Sequence, residues 1–558
     1  MRRTYLKSFL RSACLMLAGG AILAGCSNDD SSDAATNAKI DMASGIEFKL
    51  DFADYGEDIE VTGTRAAAAV QPTATETVEL GNDLFAEVTV QRDTEAVPAQ
   101  SKAATRSMNN GTYTMVAYQN GVMKGEVTGT VAGGTFTATS SNPAIQLTPG
   151  TYDFVCYNDK VTRSGDQLTV ERADAGEALI GRVTNVAVKG EKQQVTFTMK
   201  HAGARMRIKL TGYMAMHNAI KATVSSDDAA PATATYDMLT GTYSYTNGPL
   251  ATDEYEFPLN EKDILQASKF TSVSNSYQYF MAGTDGSKLK LSFTGGNYYF
   301  KELAGKTIEL NPEPALQMEQ NGSYLVNVKL KYDFYYLYSD GTVGRLSANA
   351  DKTPVGIVVS RSKRLACALK KEELRFWCSG SENYKQSNYR LVTTLAESLT
   401  DMDGEKYTWE PSGSLDGVTV KANEKERFPA FYGAAHFDPG VELTGGLENK
   451  RWFAPSIGQL MYLITGLGGG SYDEAASHPN YSGAYPNNWD VAFHGELLNA
   501  GFLQVGYQST YYSNVGSGTS STETSRESYA SISWYPEKFS ISSYGKSGNP
   551  NFYPFINY

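Results

Sequence analysis

The chain has 558 residues, which is too many for one hydrophobic core, and a prior of roughly 150 residues per domain predicts about three or four units. It contains 52 glycines, 36 tyrosines and 23 phenylalanines but only five histidines, a composition typical of turn-rich β-proteins. The formal charge of -12 argues against nucleic-acid binding and offers no basic patch for a membrane surface.

The amino terminus is basic and is followed by a short apolar run that ends at Leu23-Ala24-Gly25-Cys26. This order is typical of a bacterial lipoprotein signal, because the basic residues stay on the cytoplasmic side and the small residues admit the signal peptidase. The apolar run is too short for a permanent membrane span. We therefore predict a signal peptide over residues 1–25 and lipidation of Cys26. The alternative is an ordinary signal peptide whose cysteine is incidental.

A polar, acidic tether follows Cys26 through residue 39, and such a segment cannot form a core by itself. It resembles the export signals that follow the lipidated cysteine in surface lipoproteins of Bacteroidales, although no aspartate comes directly after Cys26. Nothing after the signal is long and apolar enough to span a bilayer. The sequence therefore predicts a surface-exposed protein anchored in an outer membrane by its lipid alone.

The first folded segment, residues 40–194, opens with a strict alternation of apolar and charged residues from Ile46 to Phe52. A period of two predicts a β-strand with one buried face. The apolar residues of that face are Ile46, Phe48, Leu50 and Phe52. Further short strands separated by glycine, asparagine and proline turns favour a β-sandwich.

Residues 195–331 form a second predicted unit of strands and turns, in which His201 stands at a strand boundary and is expected to play a structural hydrogen-bonding role. Residues 332–558 differ from the first two units in their sequence pattern, because apolar residues at helical spacing appear there. Apolar residues at helical spacing predict one helix over 456–464, with Ser456 near its start, and another over 489–501. The third unit is therefore predicted to be an α+β module.

Cysteine spacing leaves one question open, because Cys367 and Cys378 could pair across a short loop in an oxidising compartment. Motifs for nucleophilic, phosphate-binding or zinc chemistry are missing from the sequence. The run from Asp401 to Gly404 begins like a calcium loop but lacks the later acidic ligand, so we interpret it as a turn. We predict no catalytic residue, no metal site and no cofactor.

Several motifs in the first two units occur in a recognisable order. They are the lipobox at Cys26, the alternating first strand, the run Gly150-Thr151-Tyr152-Asp153-Phe154-Val155-Cys156-Tyr157-Asn158, the motif Phe197-Thr198-Met199-Lys200-His201-Ala202 with Ala204-Arg205, and Asn321-Gly322-Ser323-Tyr324. This order resembles that of the fimbrillin-like lipoproteins of Bacteroidales, the type V pilins, over residues 26–331. The resemblance implies two tandem immunoglobulin-like or transthyretin-like β-sandwich pilin domains, over 40–194 and 195–331, in a mainly β protein.

The third unit resembles the carboxy-terminal module appended to some of these proteins, which is similar to a C-type-lectin-like domain. The matching pieces are Tyr338-Ser339-Asp340-Gly341-Thr342, Pro354-Val355-Gly356-Ile357-Val358, Arg451-Trp452-Phe453-Ala454-Pro455-Ser456 and Tyr511-Tyr512-Ser513. In the last of them Tyr512 stands where a tryptophan is usual. The resemblance implies an α+β C-type-lectin-like domain over 332–558.

Type V pilins are thought to assemble when a trypsin-like protease cuts after an arginine and releases the lipidated end with its first strand. The resemblance implies that the strand with Ile46 and Phe52 leaves and that a donor strand from a neighbouring pilin subunit replaces it. Arg65 is the expected cleavage site and Arg106 the second choice. The alternative is that Arg65 is an ordinary surface arginine in a subunit that keeps its lipid.

The third unit bears on the place of the subunit in a fimbria. If the tail from Phe552 to Tyr558 packs within its own module, the subunit accepts a strand but does not donate that tail, which suits a fimbrial tip. Adhesion to a host or bacterial glycan or protein ligand is then expected. Aromatic residues on glycine-rich loops are the candidate ligand contacts: Tyr472, Tyr481 and Tyr485. Two alternatives are a permanently anchored outer-membrane glycan-binding lipoprotein of a nutrient-uptake system and a lipid-anchored glycan hydrolase.

Overall fold

The computed structural model describes most of the folded chain and leaves its amino-terminal segment and several loops undescribed. The described residues are 40–41, 46–56, 75–94, 110–132, 135–139, 145–189, 193–259, 269–311, 315–372, 375–471, 491–492, 494–507, 516–548 and 552–558. Cys26, the predicted signal peptide and the acidic tether lie outside them. No helix within these ranges has the length and apolar character needed to cross a membrane.

A closed barrel forms the amino-terminal part of the fold. Around the ring its strands are Leu179–Val188, Gln193–His201, Ile46–Phe52, Thr135–Ala138, Val122–Ala132, Gly111–Gln119 and Gly150–Asn158. Ile46–Phe52, which we call the first strand, has the bounds that its alternation predicts. Alternate side chains point into the barrel and build one apolar core that includes Leu50, Met115, Phe154 and Phe197.

Two sheets packed face to face form a sandwich beside the barrel. One sheet has Thr162–Ser164, Gln167–Glu171, Ile220–Asp237, Leu289–Gly295 and Thr307–Glu309, with Tyr243–Ala251 and Tyr255–Phe257 paired to its long central strand. The other has Phe270–Val273, Gln278–Met281, Gly203–Gly212, Ser323–Tyr332, Leu84–Arg92 and Glu76–Gly81. Side chains of both sheets, such as Ile208 and Leu291, belong to one buried cluster.

The barrel and the sandwich are interleaved along the chain. The hairpin Glu76–Gly81 and Leu84–Arg92, which we expected in the first unit, lies in the sandwich, where Leu84–Arg92 pairs with Ser323–Tyr332 along its whole length. The hairpin Thr162–Ser164 and Gln167–Glu171 also joins a sandwich sheet. Alternation in a strand predicts which face is buried but not which sheet receives it, so sheet pairing crosses the boundary predicted at residue 194.

A carboxy-terminal module, from Tyr335 to the end of the described chain, combines two sheets with helices. The first sheet has the order Val343–Arg345, Tyr335–Tyr338, Pro354–Ser360, Leu365–Ala368, Phe555–Asn557 and Trp452–Phe453, and the second has Val491–Ala492, Lys538–Gly545, Ser528–Trp534 and Gly516–Ser525. The helices are α1 (Leu395–Thr400), α2 (Gly404–Trp409), α3 (Pro429–Ala435), α4 (Ile457–Leu467) and α5 (Gly495–Leu503). Short two-stranded pairs join Ile40–Asp41 to Gln146–Leu147 and Asn297–Tyr298 to Lys301–Glu302. The mainly β fold class predicted from the sequence is confirmed.

Helices α4 and α5 test the helical patterns of the sequence. Helix α4 begins after Ser456, as predicted, and the Gln459 side chain accepts a hydrogen bond from the Ser456 backbone N–H at 2.9 Å. Helix α5 begins at Gly495 and not at residue 489, because Val491–Ala492 forms a short strand against Lys538–Gly545.

Cys367 and Cys378, whose pairing the sequence left open, do not form a disulfide, because both are free thiols buried in different apolar clusters. Cys367 lies in the strand Leu365–Ala368, whereas Cys378 packs beside Trp377 and donates a hydrogen bond to Asn383 at 3.3 Å. Burial raises the pKa of the Cys378 thiol to about 12, so this thiol is protonated at neutral pH.

Candidate strand-exchange site

The two flanks of the first strand are paired very unequally. On one flank it runs parallel to Gln193–His201 in register from Ile46 opposite Gln193 to Phe52 opposite Met199. On the other flank the described residues hold one register pair, Lys49 opposite Thr135, and residues 133–134 lie outside the described chain. The first strand is thus internal to a closed ring, and within the described residues one register pair joins its second flank to that ring.

The inward side chains of the first strand fill the barrel core. Leu50 is 3% exposed, and Phe48 and Phe52 are half-buried. The Phe48 ring lies 6.0 Å from Phe154 and 5.9 Å from Phe197 between ring centroids. Only the backbone of Ile46 is described. Removing this strand would open a groove lined by aromatic side chains and by the freed edge of Gln193–His201.

The outward face of the first strand contributes little to its attachment. Lys49 and Asp51 form an exposed ion pair with each other at 2.8 Å. An exposed pair within one strand is screened by water and salt, so it adds little stability. The strand is therefore held mainly by its parallel ladder and by its inward side chains.

The chain beyond the first strand passes from the barrel to the sandwich. The Ala53 N–H donates to the Met199 carbonyl at 3.0 Å, and the Gly56 N–H donates to the Asn321 carbonyl at 2.9 Å. The Asn321 side-chain amide donates in turn to the Asp54 carbonyl at 2.9 Å. These bonds fix residues 53–56 at the junction of the two parts.

Tyr55 is buried at this junction. Its ring stacks on the His201 ring, with centroids 3.9 Å apart and planes 10° apart. The Arg205 guanidinium lies 4.6 Å from the centre of the Tyr55 ring, and the Tyr279 ring lies 6.2 Å away on a tilted plane. The Tyr55 hydroxyl donates to the Gly176 carbonyl at 3.3 Å. We call this space, bounded by Gly176, His201, Arg205 and Tyr279, the junction pocket.

Burial sets the charge state of the junction pocket. Desolvation and the neighbouring Arg205 charge lower the pKa of His201 to about 3, so its imidazole is neutral at physiological pH. The Arg205 Nε donates to the Ser323 hydroxyl at 3.0 Å, and its guanidinium lies 4.1 Å from the Tyr277 ring centre. The His201 imidazole is therefore a neutral ring packed against Tyr55.

The sandwich hairpin that follows the first strand is anchored separately. Arg207 makes a two-pronged contact with Asp93, from Nε at 2.7 Å and from Nη2 at 2.8 Å, and both side chains are buried. Arg65 and Arg106 lie outside the described residues, before and after this hairpin respectively. A cut at either arginine would leave different elements attached to the body of the protein.

The strand Phe555–Asn557, which we call the last strand, contrasts with the first. It lies between Leu365–Ala368 and Trp452–Phe453 and pairs with both. Phe555 and Ile556 are fully buried, and the Arg364 Nε donates to the Tyr558 carbonyl at 2.6 Å. Residues 552–558 are thus built into their own module.

An open cleft of about 380 Å³ lies on the carboxy-terminal module. Charged side chains of both signs border it, with Glu382 placed 3.5 Å from Lys385 and 3.6 Å from Arg427. Leu415, 55% exposed, adds an apolar rim. The predicted contact residues Tyr472, Tyr481 and Tyr485 lie outside the described residues. Sequence reasoning missed this cleft, because its walls come from separate loops without any periodic signal.

The described ranges hold no cluster of three or more His, Cys, Asp or Glu side chains placed to bind a metal ion. The carboxylates of the run 401–404 contact Arg390 instead, whose Nη2 lies 2.9 Å from Asp401 and 3.2 Å from Asp403. The run leads directly into helix α2, which begins at Gly404.

Sequence reasoning found the inward residues of the first strand but missed Tyr55 and its partners. The alternation breaks after Phe52. The apolar residues of the first strand occupy the even positions 46, 48, 50 and 52, whereas the next two buried residues, Ala53 and Tyr55, occupy odd positions. Such a change marks the place where the chain leaves the pleat of one sheet and enters another environment.

Residues 107–343 match the model of a family described as fimbrillin-like. The structure is similar to those of a candidate cell adhesion protein from Bacteroides uniformis (16% identity, 40% of this chain and 91% of that chain, TM-score 0.27) and of a fimbrial protein from Bacteroides ovatus (11%, 80% and 94%, TM-score 0.26). TM-scores this low do not establish a shared fold. No curated protein matches the sequence. The family match confirms the resemblance drawn from the motifs: residues 107–343 are a fimbrillin-like region.

Proposed function

We propose that this chain is a fimbrial subunit that accepts a donor strand in place of its first strand, stands at the fimbrial tip and mediates adhesion through its carboxy-terminal module. The fimbrillin-like region supports a fimbrial, adhesion-type role at the cell surface. Before processing, the lipid on Cys26 would hold the protein at the outer membrane. The observation that carries the proposal is the unequal pairing of Ile46–Phe52.

Strand exchange has a clear physical basis in this barrel. Loss of the first strand would free the backbone donors and acceptors of Gln193–His201 and expose the apolar groove around Phe154 and Phe197. An incoming strand would restore both the main-chain hydrogen bonds and the alternate side-chain contacts. The open groove would be costly in water, which provides the driving force for exchange.

Arg65 suits processing better than Arg106. A cut after Arg65 would leave the first strand, the pair formed by Ile40–Asp41 and the junction residues 53–56 to dissociate. A cut after Arg106 would also detach the hairpin Glu76–Gly81 and Leu84–Arg92, which is held by the long ladder to Ser323–Tyr332 and precedes the buried Asp93–Arg207 pair. The first cut would open the barrel and the junction pocket, whereas the second would also remove a hairpin from a sandwich sheet.

The last strand supports a tip position. To donate residues 552–558, the subunit would have to break pairing on both sides of Phe555–Asn557 and expose the side chains of Phe555 and Ile556. A subunit that accepts a strand but keeps this one in place would complete one end of a polymer. The carboxy-terminal module would then face outward, where adhesion is useful.

The cleft bordered by Glu382, Lys385 and Arg427 is our candidate ligand site on that module. Acidic and basic side chains can bind the hydroxyl groups of a sugar, and the apolar rim can pack against the apolar face of its ring. Sugar binding at this cleft would agree with the C-type-lectin-like resemblance. A glycan array with the full chain tests this assignment. Binding that is lost in Lys385→Ala and Arg427→Ala but kept in the exposed control Lys363→Ala supports it, and equal binding by all three contradicts it.

The internal position of the first strand favours a second candidate function. A strand with neighbours on both sides of a closed ring suits a permanently anchored glycan-binding lipoprotein whose barrel never opens. Such a protein would keep its lipidated end and capture polysaccharide for uptake.

Limited proteolysis of the full chain separates the two functions. We expect a trypsin-like protease to produce one new amino terminus after Arg65, to lose that product in Arg65→Gln and to keep it in Arg106→Gln. Amino-terminal sequencing of the large fragment provides the readout. A barrel that resists cleavage between residues 57 and 74, while exposed sites elsewhere are cut, would favour the anchored binder.

A further inference from the structure

The junction pocket receives a side chain that does not belong to the alternating pattern of the first strand. Tyr55 follows Phe52 by three positions, and its ring occupies the space against His201 and Arg205 with only 8% of its surface exposed. The groove and the junction pocket are therefore filled by one continuous segment, residues 46–56.

We propose that the junction pocket selects the donor strand and fixes its register. The partner is a β-strand segment of another subunit with apolar residues at the positions of 46, 48, 50 and 52, an aromatic residue at the position of Tyr55 and glycine at the position of Gly56. This inference rests on the proposed strand exchange and adds the sequence pattern of the partner.

Register is the problem that the junction pocket solves. A strand whose apolar residues repeat every two positions keeps its apolar face inward after a slip of two residues, so the groove alone discriminates poorly between registers. The same slip moves the ring of Tyr55 by about 6.6 Å along the chain, out of the space beside His201. An aromatic residue off the alternating pattern thus marks one register.

Glycine at position 56 is required by the backbone. Gly56 has φ of +83°, in the left-handed region that favours glycine, and its N–H donates to the Asn321 carbonyl at 2.9 Å. An added Cβ would lie 3.4 Å from the Ser323 Cβ, which is an ordinary van der Waals contact, so the backbone conformation and not a lack of space favours glycine here. The turn after the aromatic residue therefore needs an aromatic-glycine pair.

Peptide competition tests this assignment on the full chain after cleavage at Arg65 and removal of the released end. The probe is a fluorescent synthetic peptide with the sequence of residues 46–56, and unlabelled variants compete with it. We expect Tyr55→Ala to weaken binding about 100-fold, because it leaves an aromatic site empty. Tyr55→Phe should bind within about threefold of the parent, because the hydroxyl contacts of 3.3 and 3.5 Å are long. Lys49→Ala is the matched control on the exposed face and should bind like the parent.

The outcomes separate this inference from the proposed function. Equal binding of the Tyr55→Ala and parent peptides would overturn the role of the junction pocket and leave strand exchange standing. A parent peptide that fails to bind a cleaved, folded chain would overturn both. Weak binding of Tyr55→Ala together with strong binding of Tyr55→Phe supports the pocket as the element that selects the strand.

Discussion

The first and last strands of this protein are attached in opposite ways. Ile46–Phe52 has a full parallel ladder on one flank and, among the described residues, a single pair on the other, and its outward residues Lys49 and Asp51 are exposed. Phe555–Asn557 is paired on both flanks, and its side chains Phe555 and Ile556 are completely buried. The comparison supports the proposed exchange of the first strand rather than the last, because the last is part of the core of its module.

The largest effect is expected in the last strand. Phe555→Ala should destabilise the carboxy-terminal module by about 4 kcal/mol, because it leaves a cavity at a fully buried aromatic site. Denaturant unfolding followed by tryptophan fluorescence measures the change, with Tyr544→Ala, at a side chain 46% exposed, as the control. A loss below about 1 kcal/mol would mean that the last strand is not part of this core.

Leu50→Ala probes the first strand in the same way. Leu50 is 3% exposed in the barrel core, and its truncation should cost about 3 kcal/mol. In the intact chain the loss lowers barrel stability, and after cleavage at Arg65 it should appear as faster dissociation of the released segment. If dissociation after cleavage is unchanged, the inward side chains do not hold the strand.

Acid should weaken the junction between barrel and sandwich. The pKa of His201 is about 3 in the folded protein and about 6.5 in an unfolded chain, so below about pH 6.5 the unfolded state binds a proton that the folded state excludes. The contribution of His201 to the free energy of unfolding is fully present above pH 6.5 and decreases as the pH falls below that value. At pH 5 the free energy of unfolding should be lower by about 2 kcal/mol than at pH 8. Urea unfolding at pH 8 and pH 5 measures the difference.

His201→Phe is the matched variant for the pH experiment, because it keeps a ring against Tyr55 and removes the titration. Its stability should change less between pH 8 and pH 5 than that of the parent. An identical pH dependence in the two proteins would assign the effect to other groups.

The smallest effect is expected on the outward face of the first strand. Lys49→Ala should change the free energy of unfolding by less than about 0.5 kcal/mol, because its pairing with Asp51 is exposed. Urea unfolding of Lys49→Ala and Leu50→Ala under the same conditions compares the loss of unfolding free energy at two adjacent positions. A large loss at Lys49 would show that the exposed face also holds the strand.

Local patterns in the sequence predicted local structure well. The alternation from Ile46 to Phe52 set the strand and its inward face, and Ser456 with Gln459 marked the start of helix α4. Both signals depend only on neighbours along the chain, so no knowledge of the tertiary fold is needed.

The sequence patterns did not predict which residues and strands that are distant along the chain come into contact. The run Leu84–Arg92 alternates as a strand should, but alternation does not reveal that Ser323–Tyr332 is its partner. Cys367 and Cys378 are near in sequence and lie in separate clusters, because a strand and a loop carry them into different layers. Tyr55 lies in a short polar stretch, and its burial depends on His201 and Arg205 from another part of the chain.

Exchange of the first strand is tested most directly by native mass spectrometry of the cleaved protein. After a cut at Arg65, the chain is incubated with an excess of an isotope-labelled peptide of residues 46–56. The account predicts that the labelled peptide replaces the original amino-terminal fragment while residues 66–558 remain folded by circular dichroism. Retention of the original fragment on a folded body, or its loss only when the barrel unfolds, would contradict the account.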